Sequence, residues 1–164
     1  MTLNIRPAVT ADAPACAGIY RPFVTDGWLS FETEPPDAGE MALRISSALA
    51  THGWVVAEDG TGLRGYAYAG PHRTRAAYAT SADVTVYVRP DSARMGIGRQ
   101  LYTALFQQLK AKSLHAVFAG IALPNEASIA LHTAMGFEPV GVYREVGWKM
   151  GDWRDVSWWQ KRLG

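Results

Sequence analysis

Apolar residues recur along this chain with two periods, and the switches between them lay out its secondary structure. From 97 to 112, Ile97, Leu101, Leu105 and Leu109 repeat every four residues, and Tyr102 and Phe106 widen the stripe. That spacing predicts a long amphipathic helix. Ala15, Cys16, Ile19, Tyr20 and Phe23 recur in the same way behind Thr10, Asp12 and Pro14, which form a helix start. Turn residues and the Pro35-Pro36 pair interrupt helix over 26–36, and a second helix is predicted over 37–49. Two β-prone runs, 54–57 and 63–69, flank a turn at 59–62 and predict a hairpin; further strands are expected at 3–6, 83–88, 115–123, 137–145 and 157–161. Asn125 and Gly136 bracket a helix over 125–135 as N-cap and C-terminal stop. Along 83–88, strict alternation puts Asp83, Thr85 and Tyr87 on one face and Val84, Val86 and Val88 on the other.

The order is therefore β-α-α-β-β-β-α-β-α-β-β. Hairpins in the first half and helix crossovers in the second predict an α/β (α+β) class, one mixed sheet with helices on both faces. Its 164 residues, 48% hydrophobic and 19% charged, suit one domain over 1–164, and no repeat or low-complexity tract divides it. Sixteen Lys+Arg against fifteen Asp+Glu speak against a nucleic-acid partner held by bulk charge. Cys16 is the one cysteine, which excludes an internal disulfide and a multi-cysteine zinc site; no metal is expected. The start MTLNIRPAVT lacks a secretory pattern, and no apolar run approaches the roughly 20 residues of a membrane helix. The expectation is a cytoplasmic protein without a membrane partner.

A strand, the loop Arg94-Met95-Gly96-Ile97-Gly98-Arg99 and a long helix follow one another, an arrangement that suits an anion. Gly96 and Gly98 open the backbone N–H groups, and the helix dipole adds attraction. Glycine pairs of this kind also make ordinary turns. After the strand at 115–123 come LPNEAS (123–128), LH (131–132) and MGF (135–137). Here the chain resembles the GNAT superfamily of N-acetyltransferases, which pairs a Q/R-x-x-G-x-G/A loop with a later Asn and a helix ending in Leu-Gly-Phe or Leu-Gly-Tyr. Ala93 stands where the family has Gln or Arg, so that side-chain contact is missing while the backbone cradle remains. FETEP (31–35), WVVAE (54–58), GYAYAGP (65–71), Tyr78, TVYV (85–88), GDWRDV (151–156) and Trp159 resemble the phosphinothricin N-acetyltransferase branch, which also acetylates methionine sulfoximine and methionine sulfone. The resemblance implies a GNAT fold, acetyl-CoA as co-substrate, direct acetyl transfer to the α-amino group of a small amino-acid analogue, and a homodimer. Another amine acceptor, or a non-catalytic acetyl-CoA-binding module, are the alternatives.

Transfer to an amine needs a base, because an α-amino group is mostly protonated at pH 7. Asp83 is the first candidate and a solvated strand-end carboxylate its plainer reading; the resembled enzyme has Glu there, so the shorter Asp favours relay through a water. Glu32 is the reserve. His132 faces the interior of its helix as a core residue would, and the resemblance gives it a catalytic place near the thiol. The resemblance also implies that backbone N–H groups near Val86, Tyr87 and Val88 polarise the carbonyl, and that Arg94, Gly96, Ile97, Gly98 and Arg99 hold the diphosphate. Asn125, with Ser128 beside it, is either a contact to the CoA arm or a helix cap. Arg73, Arg75, Tyr78 and Phe31 are expected to select the acceptor, since a guanidinium can grip a carboxylate or phosphinate with two hydrogen bonds. Four of six tryptophans fall in the last seventeen residues among Lys149, Arg154, Lys161 and Arg162. They could stack on single-stranded nucleic acid, but closing the sheet or lining a homodimer contact is the better reading. Cys16 lies far in sequence from every motif, which argues against a covalent acetyl-cysteine.

Overall fold

The computed structural model describes residues 2–164; residue 1, the first of the expected domain, lies outside them. Strands β1 (Asn4–Pro7), β2 (Gly53–Asp59), β3 (Gly62–Pro71), β4 (Ser81–Val88), β5 (Ala116–Ala122), β6 (Glu138–Lys149) and β7 (Asp152–Arg162) form one sheet in the order β1-β2-β3-β4-β5-β7-β6. Helices α1 (Ala13–Thr25) and α2 (Ala38–Thr51) precede β2, α3 (Ile97–Ala111) connects β4 to β5, and α4 (Glu126–Ala134) connects β5 to β6. Short 3-10 turns aside, this is the predicted order. Every neighbouring pair is antiparallel except β4 and β5.

The two cores follow from strand alternation. Val55 and Ala57 of β2 point to α3, while Trp54 and Val56 point to α1 and α2, so this strand is covered on both faces. All six residues of the α3 stripe are buried. Each large one contributes about 1.5–3 kcal/mol by leaving water. Asp37 starts α2 by accepting the Glu40 N–H at 2.8 Å, directly after the Pro35-Pro36 pair.

The last two strands are longer than expected. Instead of 137–145 and 157–161, β6 and β7 form a hairpin over Glu138–Lys149 and Asp152–Arg162, closed by Met150 (φ 54°) and Gly151 (φ 75°). Two left-handed residues make a tight hairpin turn, and Met is not a usual sign of one. β6 is also an edge strand exposed over nearly its whole length, with register shifts near Gly141 and between Tyr143 and Gly147, so it carries no clean alternation.

What matters for function is where β4 and β5 stop pairing. Ser81, Ala82 and Asp83 oppose Ala116, Val117 and Phe118; beyond this third pair the strands part.

Candidate active site

The parting of β4 and β5 opens a cavity of about 790 Å³, walled by both strands and closed by α3 and α4. Val86, Tyr87 and Val88 line one side of it. At its mouth lies the start of α3, whose N-cap Gly96 takes the left-handed conformation (φ 73°) and whose first turn no side chain caps. Its N–H groups are thus left for an outside acceptor, which is what an anion needs. Arg94 and Arg99, both exposed, flank the same opening. Arg89-Pro90 ends β4 and starts a 3-10 turn, which carries the chain from strand edge to helix tip. Gly98 is needed for packing: a Cβ there would lie 3.1 Å from Leu131 Cδ2 on α4. Ile97, Asn125 and Ser128 also line the cavity, so every residue expected to hold the co-substrate is on its wall. Asn125 is already occupied as a cap, its Oδ1 accepting the Ser128 N–H at 3.2 Å.

His132 lines the cavity from α4 and is only 3% exposed. Its Nδ1 sits 2.7 Å from the Ser128 carbonyl and its Nε2 2.9 Å from the Tyr102 hydroxyl. A carbonyl only accepts, so Nδ1 donates and Nε2 accepts the Tyr102 O–H. Burial holds the imidazole below its ordinary pKa, which favours the neutral form. Tyr102 is fully buried in the α3 stripe and also lines the cavity. Its place in an apolar repeat disguised it as core.

Asp83 is the last residue of β4 that pairs with β5, next to Val84, the first β4 residue on the cavity wall; it does not itself line the cavity, and it shares a face with Thr85 and Tyr87 as the alternation predicts. Burial pushes its carboxyl pKa up, partly offset by a hydrogen bond from His72 at 2.6 Å. Sequence reasoning missed His72. Tyr78 stands 6.0 Å from the His72 ring, edge to face, and Arg73 donates to the His72 carbonyl at 2.7 Å. Arg73, Arg75 and Tyr78 are exposed along the connection from β3 to β4 and do not line the cavity.

Glu32 is placed differently from a free base. Arg44 of α2 grips its carboxylate with hydrogen bonds of 2.6 and 3.0 Å, and Tyr20 of α1 donates a short one. The Arg44 guanidinium holds this carboxyl well below the usual range, the opposite of what an amine's base requires. Lys149, buried at the end of β6, donates to the carbonyls of Ser30 (2.5 Å) and Glu32 (2.8 Å). The Phe31 ring between them lies against Gly147, where a Cβ would collide with it. Tyr20 also packs on Tyr87 at 4.9 Å, which connects this anchored loop to the cavity wall. No motif points to Arg44, and Lys149 stands out in the sequence only as one of the basic residues among the last tryptophans. Cys16 is fully buried, and burial pushes its thiol pKa up to about 12.

The sequence profile of the acetyltransferase (GNAT) domain matches residues 12–158. This chain belongs to the GNAT acetyltransferase family. Within the family it is 38% identical to phosphinothricin N-acetyltransferase of Streptomyces coelicolor, over 98% of this chain and 96% of that protein. It is 35% identical to the L-methionine sulfoximine/L-methionine sulfone acetyltransferase of Pseudomonas aeruginosa, over 99% and 96%. The crystal structure of a GNAT phosphinothricin acetyltransferase from Sinorhizobium meliloti in complex with AcCoA superimposes with a TM-score of 0.94 at 38% identity, covering 100% of this chain and 90% of that one. The GNAT fold of this chain is thus the α/β fold that the sequence predicts.

Proposed function

We propose that this protein is an acetyl-CoA-dependent N-acetyltransferase acting as one domain on the α-amino group of a small carboxylate-bearing amino-acid analogue: phosphinothricin, methionine sulfoximine or methionine sulfone. The observation that carries the reading is the cavity between β4 and β5, which offers an unpaired strand edge along its length and an uncapped helix tip at its mouth. Bound acetyl-CoA supplies an activated acetyl thioester. Around it, the N–H groups at Gly96, Ile97 and Gly98 hold a diphosphate, with Arg94 and Arg99 beside them. Arg89 donates its main-chain N–H to the Arg64 carbonyl of β3, so by alternation the Tyr87 N–H also turns to β3 and those of Val86 and Val88 on either side face the open edge, where they polarise the thioester carbonyl; Asn125 with Ser128 steadies the arm.

Asp83 drains the proton from the acceptor's ammonium through a bridging group, a role that its buried position favours. Arg73 and Arg75 hold the acceptor's acidic groups, and Tyr78 and Phe31 shape the space for the rest of it. Neutral His132, with both ring nitrogens engaged, orients the Tyr102 hydroxyl at the cavity wall. Glu32 is a positioning residue that fixes the Phe31 loop. The exposed apolar strip of the β6–β7 hairpin, with Val140 62%, Trp148 60% and Trp153 55% accessible, supports a homodimer, and a monomer in sedimentation at micromolar concentration would remove that part. A cytoplasmic location belongs to the same proposal; among the described residues no helix is long and apolar enough to cross a membrane.

The test is thiol release from acetyl-CoA with each of the three acceptors. Release with at least one is expected. Tight acetyl-CoA binding without release for any amine tried would make the chain a binding module instead.

A further inference from the structure

We propose that His72 is a catalytic residue whose Nε2 takes the proton of the acceptor's ammonium while Asp83 holds the opposite ring nitrogen. This rests on the acetyl-transfer reading above and supplies its bridging group. Gly70 opposes Asp83 in the β3–β4 ladder, so a side chain two residues further on lies on the same face, diagonal to the carboxylate. His72 Nδ1 accordingly sits 2.6 Å from Asp83 Oδ1. The ring is stacked on Phe118 (4.2 Å between centroids, 17° between planes) and meets Trp158 edge-on at 6.5 Å. Phe118 faces Asp83 in the last pair before the strands part, so the two residues stand where the cavity begins.

A carboxylate accepts only, so Nδ1 carries a proton, and in the neutral tautomer that this fixes Nε2 holds the lone pair. Nε2 has no protein partner among the described residues. The His72 side chain is 14% accessible. Facing the ring among the described residues are Asp83 from β4, and Tyr78 and Arg73 from its own connection; β5 and β7 present the uncharged Phe118 and Trp158. An Asp is one methylene shorter than Glu, and an imidazole in front of it restores the reach.

The proton balance closes. An ammonium N–H bond breaks as Nε2–H forms, giving an imidazolium paired with the Asp83 carboxylate. The freed amine forms the C–N bond and the C–S bond breaks; a second amine proton ends on the departing sulfur, and Nε2 returns its proton to water.

His72→Phe keeps a flat ring on Phe118 and removes the base. Its kcat should fall about 100-fold, the usual worth of a general base, with KM for acetyl-CoA unchanged and the pH–rate profile altered in shape. A variant with wild-type kcat and pH profile would overturn the proposal and leave Asp83 acting alone. If the wild type releases no thiol with any acceptor, the functional reading fails separately. The dyad is then judged by ¹⁵N NMR of the His72 ring, where a proton on Nδ1 and none on Nε2 in the neutral form, a preference lost in Asp83→Ala, supports it. A neutral ring protonated on Nε2 would refute it.

Discussion

Replacing Glu32 with Gln separates a positioning residue from a base. The wild-type carboxylate takes two hydrogen bonds from Arg44 and one from Tyr20. Hydrogen bonds to a charged group contribute about 1.5–3 kcal/mol each when dry. Here the Arg44 and Glu32 side chains are 36% and 35% accessible, and solvent screening reduces the ion pair to about 1 kcal/mol. For a slope of about 2 kcal/mol/M, Glu32→Gln should lower the urea midpoint by about 0.5 M at pH 7. The loss has a defined pH dependence. Arg44 depresses the folded pKa of Glu32, so its stabilisation is complete above the ordinary value near 4.5 and is lost as pH falls through the folded value. Wild type and variant should therefore converge in acid. In thiol-release assays the variant should raise KM for the acceptor, because the Phe31 loop is loosened, and keep most of kcat. A large fall in kcat at unchanged stability and unchanged KM would make Glu32 the base and refute this reasoning.

Gly98→Val should weaken acetyl-CoA binding in calorimetry, because even a Cβ meets Leu131 at 3.1 Å and α4 must shift; an unchanged dissociation constant would refute the close-packed helix tip. Arg75→Ala should raise KM for a carboxylate-bearing acceptor, and unaltered kinetics would remove Arg75 from the site. His132→Ala should lower kcat more than it raises KM for acetyl-CoA, since it releases the Tyr102 hydroxyl; the reverse pattern would assign it to packing or co-substrate binding. Buried Cys16, with its pKa near 12, should resist thiol reagents at pH 8 in the native protein, and Cys16→Ala should keep kcat; an acetylated Cys16 peptide in mass spectrometry would overturn direct transfer.

What the sequence disclosed depended on whether a residue's partner was near in the chain or repeated with a period. The α3 stripe is buried residue for residue, and the β4 alternation sorts Asp83 from the valines, because each pattern is set by local geometry. β6 was cut short because an edge strand exposed on both faces needs no alternation. The His72–Asp83 contact depends on register across the 72–80 connection, which contains a 3-10 turn of Ala76–Tyr78, and no local rule fixes that register. Arg44 reaches Glu32 across 12 residues, and Lys149 reaches Ser30 across 119. Such polar contacts have no period, so only the folded chain reveals them.

The three residue pairs joining β4 to β5 are also the seam between two parts of the sheet, β1–β4 and β5–β7. A molecule lodged in the gap stitches that seam, and whatever favours the native state alone raises its resistance to melting. At a hundredfold excess over the dissociation constant the gain is about 2.7 kcal/mol. The wedge that admits the reagent thus makes the fold sturdier in its presence than without it.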